Sequence, residues 1–211
     1  MSETTTIKPA KNGPYLVTHC DTLKGMMDDR QYESAGTVAL CRCGGSKNKP
    51  FCDGTHSQLG FTDDKAEDRV PDKRENYEGA AITVHDNRGM CAHAARCTNG
   101  LPEAFRTDKE PFVDANAAPA DKIRATIEQC PSGALSYSVE GAEHRDRDSE
   151  PMILIVPNGP YAVRGGADLE AERGEGASQE HFTLCRCGQS KNKPFCNGAH
   201  WSHKFDENAP G

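Results

Sequence analysis

The sequence predicts a mixed β and α+β chain in three parts: two copies of one β-rich unit and a different α+β segment between them. Three observations carry this. A 16-residue cassette occurs twice, as Cys41-Arg-Cys43-Gly-Gly-Ser46-Lys-Asn-Lys-Pro50-Phe-Cys52-Asp53-Gly54-Thr55-His56 and as Cys185-Arg-Cys187-Gly-Gln-Ser190-Lys-Asn-Lys-Pro194-Phe-Cys196-Asn197-Gly198-Ala199-His200, with 13 positions identical. The repeat extends upstream of both cassettes. The stretch between them has its own cysteine pattern and its own helical periodicity.

Each unit reads as strand, turn, strand, variable loop, strand, ligand loop and short helix. Asn12-Gly13-Pro14-Tyr15-Leu16-Val17 is echoed by Asn158-Gly159-Pro160-Tyr161-Ala162-Val163, and Val38-Ala39-Leu40 by Phe182-Thr183-Leu184. Asn-Gly-Pro is strong turn chemistry. The apolar run Met152-Ile153-Leu154-Ile155-Val156 reads as a buried strand. The units are placed at 1–61 and 151–211, and the middle domain at 77–140. The charged stretches Thr62–Asn76 and Gly141–Glu150 read as solvated linkers, and Asp168–Glu180 as a variable loop.

Each cassette spells C-x-C-x8-C-x3-H. Two Cys at i and i+2 point to one side of an extended strand and can reach one metal. Cys52 and His56, and likewise Cys196 and His200, share a face if the cysteine begins a helix. A Cys/Cys pair and a Cys/His pair suit two irons bridged by sulfide, a [2Fe–2S] cluster. One structural zinc in a Cys3His site is the alternative, although such sites usually draw ligands from C-x2–4-C turns. The spacing favours the cluster and leaves zinc open.

The motif C-x-C-x2-S-x3-P-x-C-D-G-x-H resembles the CDGSH (NEET, mitoNEET-like) iron–sulfur family. That resemblance implies a [2Fe–2S] cluster in each cassette. Cys41 and Cys43 would hold the inner iron and Cys52 and His56 the outer one; Cys185 and Cys187 are inner, Cys196 and His200 outer. Asn197 departs from the family's Asp. Asn still accepts a backbone hydrogen bond at a helix start, so the cluster is expected to survive, with its potential altered by the missing charge. Single NEET units pair through an intertwined sheet. The resemblance therefore implies an intrachain pseudo-dimer, a monomer with internal pseudo-two-fold symmetry, whose shared sheet includes Met152–Val156.

The middle segment carries Cys91-Ala-His93-Ala94-Ala-Arg-Cys97 and, further on, Cys130-Pro131. A C-x5-C pair followed distantly by Cys-Pro resembles single-cluster bacterial ferredoxins, whose usual run is C-x2-C-x2-C…C-P. Ala94 stands where the middle cysteine belongs. Three thiolates suit a [3Fe–4S] cluster; a [4Fe–4S] cluster needs a fourth ligand, such as His93, an added thiol or water. The resemblance reaches the divergent 4Fe–4S domains found beside CDGSH units, so both cluster types stay open. A ferredoxin-like fold fits the flanks. Ala81–Val84 and Leu135–Val139 read as pairing strands, and Pro119–Gln129 as a helix with Ile123 and Ile127 inward, delivering Cys130.

Nine of the ten cysteines fall in these three sets, and Cys20 is left as a partly buried thiol. Three small units of modest apolar content gain stability from bound metal. Met-Ser-Glu-Thr-Thr-Thr is not an export signal, and no apolar run spans a bilayer. Free thiolates then point to a reducing cytoplasm. A net charge of −7 argues against nucleic acid. No phosphate loop or nicotinamide fingerprint is present, and His19, His85, His144, His181 and His203 have no recognisable nucleophile partner, so no enzyme activity is expected. Lys-Asn-Lys, at 47–49 and 191–193, reads either as a docking patch for an acidic redox partner or as a solvated turn. Electron transfer leads among the functions. Cluster transfer, storage or redox sensing toward an apo iron–sulfur acceptor comes next. A structural zinc module that docks partners is third.

Overall fold

The structure, a computed structural model, describes residues 3–209. Met1 and Ser2, which open the segment read as lacking an export signal, lie outside the described residues. So do Pro210 and Gly211, at the end of the second expected unit.

The first unit contains β1 (Thr6–Pro9), β2 (Tyr15–Thr18), β3 (Leu23–Gly25), β4 (Thr37–Leu40) and the short helix α1 (Thr55–Gln58). The central domain has β5 (Arg74–Glu78), β6 (Thr83–Asn87), α2 (Arg96–Gly100), α3 (Ala120–Ile127), β7 (Leu135–Val139) and β8 (Ala142–His144). The second unit contains β9 (Met152–Ile155), β10 (Tyr161–Arg164), β11 (Asp168–Leu169), β12 (Phe182–Leu184) and α4 (Ala199–Ser202).

The strands form three four-stranded sheets, ordered β11-β1-β2-β4, β12-β10-β9-β3 and β5-β6-β7-β8. In the first two sheets each unit lends its third strand to the other. β3 pairs parallel with β9, Leu23 opposite Ile153. β11 pairs parallel with β1, Thr6 opposite Asp168. The remaining pairs in these sheets are antiparallel. β2 alternates inward Tyr15 and Val17 with half-buried neighbours, the period-two pattern of a sheet with one covered face. β9 and β10, interior to their sheet, are nearly continuous apolar runs.

Both hairpins turn at the Asn-Gly-Pro signal. Asn12 and Asn158 each adopt φ 50, a left-handed conformation that Asn tolerates better than most residues. Ala10 N–H bonds Pro14 O at 2.9 Å in one turn, and Val156 N–H bonds Pro160 O at 3.1 Å in the other.

Several local expectations change. β3 and β11 lie inside the segments read as variable loops. They are three and two residues long, too short to carry a periodic signal. β5 and β8 occupy parts of both expected linkers. Their side chains are mostly exposed, so a charged edge strand looks like a solvated connection. The expected strand at 81–84 runs later, as β6, through buried His85, Asp86 and Asn87. The helix at 119–129 holds as α3, with Pro119 at its N-cap and Ile123 and Ile127 buried. Neither cassette cysteine begins a helix: α1 starts at Thr55 and α4 at Ala199, each after a left-handed glycine, Gly54 or Gly198.

Candidate metal centres

Cys41 and Cys185 each follow the last strand of their unit by one residue. Cys41 N–H bonds Pro50 O at 2.7 Å and Cys52 N–H bonds Ala39 O at 2.8 Å, which folds the ligand loop back along β4. The second loop repeats this, Cys185 to Pro194 at 2.8 Å and Cys196 to Thr183 at 3.0 Å. Ser46 holds the loop's interior, donating to Phe51 O at 2.6 Å and accepting from Asn48 N–H. Ser190 does the same with Phe195 and Asn192. That explains the motif's serine.

These loops bring the donors together in pairs. Cys41 Sγ and Cys43 Sγ lie 3.9 Å apart, and Cys185 Sγ and Cys187 Sγ 3.8 Å. Cys52 Sγ lies 3.4 Å from His56 Nδ1, and Cys196 Sγ 3.4 Å from His200 Nδ1. Two thiolates on one tetrahedral metal with bonds of about 2.3 Å sit roughly 3.8 Å apart, and a thiolate and an imidazole nitrogen sit slightly closer. Both kinds of pair match. Among the described residues, no three such donors converge as one ion would require. Each cassette thus offers a Cys/Cys pair and a Cys/His pair at metal-spanning distances.

The left-handed glycine makes the second pair: by turning the chain between Cys52 and Thr55 it brings His56 back to the thiol. Gly54 N–H also points at Cys52 Sγ at 3.4 Å, as Gly198 N–H does at Cys196. The inner pairs are poised for a cation. Cys43 hydrogen-bonds Cys41 and pulls its thiol down to about 6, while the same contact and then burial push Cys43 up. Cys185 falls to about 6 for the same reason, and Cys187 rises. Two sulfurs this close cannot both be anionic unless a cation joins them. Burial first, then the Arg186 charge, pushes His200 down to about 4, which keeps its imidazole neutral and able to bind metal.

The two cassettes differ in exposure. Cys185, Cys187, Cys196 and His200 are all buried, whereas Cys43, Cys52 and His56 are half-buried. They differ too at the motif departure. Asp53 accepts Thr55 N–H at 3.0 Å and Lys47 N–H at 2.8 Å. These bonds, with the Thr55 hydroxyl foremost, hold its carboxyl well below the usual range. Asn197 accepts only from Ala199 N–H, at 3.2 Å, among the described contacts.

Two supporting pairs escaped sequence reasoning. Arg42 and Arg186, between the paired cysteines, are 2% and 1% exposed. Arg42 donates to Ala10 O at 3.1 Å and approaches Asp63; Arg186 donates to Gly159 O and Val156 O, both at 2.9 Å, and to Glu207 at 2.5 Å. They pin each ligand loop to its unit's hairpin. Tyr15 and Tyr161, both fully buried, reach the opposite ligand loops. The signal was present: all four are identical between the repeats, as the candidate donors are.

In the central domain, Cys91 follows a single 3-10 turn, Cys97 lies in α2, and Cys130 follows α3. They line one cavity of about 190 Å³ with Arg88, Phe112 and Ser132. The loop from Cys91 to Cys97 wraps this cavity with His93 and Ala95 at φ 53 and 56. Those are uncommon conformations for such residues and typical of ligand clamps. His93 N–H points at Cys91 Sγ at 3.4 Å. Burial pushes the Cys91 thiol up to about 12 and raises Cys97 as well. The donor set is three thiols around a void, with no donor at Ala94, and it fits a cubane-type cluster.

The remaining candidates resolve simply. All ten cysteines are free. Cys20 is buried and its thiol rises to about 11 through burial. His181 does have a serine neighbour, Ser178 Oγ at 2.9 Å, which donates in turn to Asp146 at 2.7 Å. Both side chains are sealed, at 2% and 1% exposure, so they fasten the segment after β8 to the second unit. The second Lys-Asn-Lys is engaged within the chain: Lys191 pairs with Asp68, and buried Asn192 donates to Asp72 and Gly89 O. Among the described residues, no helix is long and apolar enough to cross a membrane.

Comparison with known proteins agrees with this geometry. The family model described as iron-binding zinc finger CDGSH type matches residues 12–57 and 158–201, and the one described as divergent 4Fe-4S mono-cluster matches 77–140. A 61-residue stretch, 29% of this chain, is 31% identical to Uncharacterized protein YjdI of Escherichia coli K12 and covers 80% of that protein. The same protein from Escherichia coli O157:H7 matches equally. No solved structure matches significantly. With both cassettes and the central cysteines inside matched regions, the chain belongs to the CDGSH iron-binding family, two such units flanking a divergent 4Fe–4S mono-cluster domain.

Proposed function

We propose that this protein is a three-cluster electron carrier. It would hold a [2Fe–2S] cluster at Cys41, Cys43, Cys52 and His56, a second at Cys185, Cys187, Cys196 and His200, and a [3Fe–4S] or [4Fe–4S] cluster at Cys91, Cys97 and Cys130. The carrying observation is the pairing of donors. Each cassette offers a Cys/Cys pair and a Cys/His pair at metal-spanning distances, the donor set a binuclear cluster needs. When bound, the clusters supply one-electron chemistry. The chain's own part is to fix the donors, aim N–H groups at the sulfurs and limit water. The exchange of β3 and β11 supports an intrachain pseudo-dimer and hence a monomer. We read no catalytic role for the chain.

Iron and acid-labile sulfide per chain, with EPR of oxidised and reduced protein, test this. Two [2Fe–2S] signals and one cubane-type signal are expected; colourless, zinc-only protein from anaerobic isolation rejects it. One observation favours a second reading. The half-buried Cys52/His56 pair is the opening through which a cluster could pass to an apo-acceptor. Transfer that empties the first cassette on a functional timescale would favour that role over electron carriage.

A further inference from the structure

The central domain is fastened to the second unit. Asn192 reaches Gly89 O, Asn87 Nδ2 donates to Glu175 O at 2.9 Å, and a side chain at Gly133 would strike His181 O and Ser178. At the metal sites His93 packs over Gly198. A Cβ built on Gly198 would lie 2.8 Å from His93 Cδ2 and 2.9 Å from its Cβ. His93 N–H points at Cys91 Sγ and Gly198 N–H at Cys196 Sγ, each at 3.4 Å. His93 is thus packed over the Gly198 turn, between a central thiol and an outer thiol of the second cassette. The equivalent glycine of the first cassette, Gly54, has nothing within 4 Å of a built Cβ. The cassettes meet each other elsewhere. A Cβ on Gly44 would lie 2.6 Å from Cys187 O, and one on Gly188 would strike Cys43 O.

We propose that the three centres form one ordered relay, central to second to first, with His93 against Gly198 as the spacer at one junction and the reciprocal Gly44/Cys187 and Gly188/Cys43 contacts at the other. The second cassette is the inner station and the first, opening at Gly54 and His56, is one terminus. The step is a single electron passing from a reduced centre to its oxidised neighbour, with no bond made or broken. A low-potential one-electron donor supplies it. His93 is a positioning residue that keeps packed atoms where a gap would otherwise slow tunnelling. This rests on the electron-carrier reading.

The test uses the full-length, cluster-loaded protein. In dithionite-reduced samples, EPR should show spin coupling between the central cluster and the second cassette's. Cys52→Ala, which removes the first cluster, should leave that coupling intact; Cys196→Ala should abolish it. Coupling lost in C52A but kept in C196A overturns the order. If C196A fails to fold, the other variants decide. After injection of one electron per chain from a photoreduced flavin, His93→Ala should slow exchange between the central and second clusters about tenfold, because it opens a gap in packed atoms. All three clusters' visible spectra should be retained, and His93→Phe should restore the rate. An unchanged rate in H93A, or loss of the central spectrum, overturns the spacer role. Coupling without any exchange leaves the order standing and rejects electron carriage.

Discussion

Tyr15 and Tyr161 cross between the two halves of the molecule. Tyr15 shares its hydroxyl proton between Cys185 O at 2.9 Å and Pro194 O at 2.8 Å, and Tyr161 shares its own between Cys41 O at 2.9 Å and Pro50 O at 3.0 Å. Their rings meet edge to face, centroids 6.1 Å apart. Each ligand loop is thus held by the other unit.

Removing either hydroxyl should be felt across the molecule. Tyr15→Phe strips the buried Cys185 O of its hydroxyl donor, while Pro194 O keeps Cys185 N–H, and should destabilise the protein by about 1–3 kcal/mol. The cluster that becomes labile should be the one at Cys185–His200, not the one in Tyr15's own unit. Tyr161→Phe should loosen the cluster at Cys41–His56. Denaturant titration and the visible spectra of both variants check this; equal lability of both clusters in each variant contradicts it.

Acid should empty the cassettes in order, the first before the second. Protons compete with metal for His Nδ1. Burial lowers His200 from 6.5 to about 4. A lowered histidine pKa favours the neutral form, so this contribution is complete above pH 6.5 and is lost as the pH falls toward 4. In the first cassette Cys43, Cys52 and His56 are half-buried, so water and acid reach that cluster more readily. Two bleaching steps are expected on acidification, and His56→Cys should remove the one at higher pH.

His56→Cys and His200→Cys should each keep a cluster, lower its potential and increase its acid stability. Thiolate adds negative charge and removes the protonatable ring. His-ligated [2Fe–2S] centres of another class lie above all-Cys ones by hundreds of millivolts at the extremes, which fixes the sign. Potentiometry on each variant measures it, and unchanged acid lability in both would show that histidine is not the weak ligand.

Asp53→Asn should raise the potential of the first cluster, and Asn197→Asp should lower that of the second. A neighbouring negative charge disfavours an added electron. Screening by water and salt limits the shift to roughly tens of millivolts. Asp53→Asn also trades an acceptor of Lys47 N–H for an amide donor, so its loop should loosen as well. Shifts of opposite sign at both sites reject the electrostatic account.

The paired donors and the repeat were legible because identity between two distant segments marks whatever both must keep. Arg42, Tyr15 and their partners bore the same mark, but a buried arginine beside a metal ligand reads as an ordinary surface charge until its carbonyl partners are in place. The α3 helix was legible from Ile123 and Ile127, four residues apart on one face. β3 and β11 were not. Two or three residues have no period, and their partners lie more than a hundred residues away. β5 and β8 were hidden by polar side chains on both faces. The contact of His93 with Gly198 joins two motifs that sequence reading treats separately.

The exchanged strands impose a timetable on synthesis. Residues 41–56 leave the ribosome with all four donors, yet the frame around them stays unfinished. Tyr161 must bind Cys41 O, and β11 must complete the sheet beside β1. At about 5–20 residues per second, the nascent first site waits on the order of ten seconds for residue 169. The central sheet has no such wait, since β5 to β8 pair only with one another. A chain stopped after residue 150 should therefore take up the central cluster and leave the first cassette colourless, a difference that absorption of the stalled product would reveal. Loading would then depart from the order of the ligands along the chain, with the earliest-made site filled after the central one.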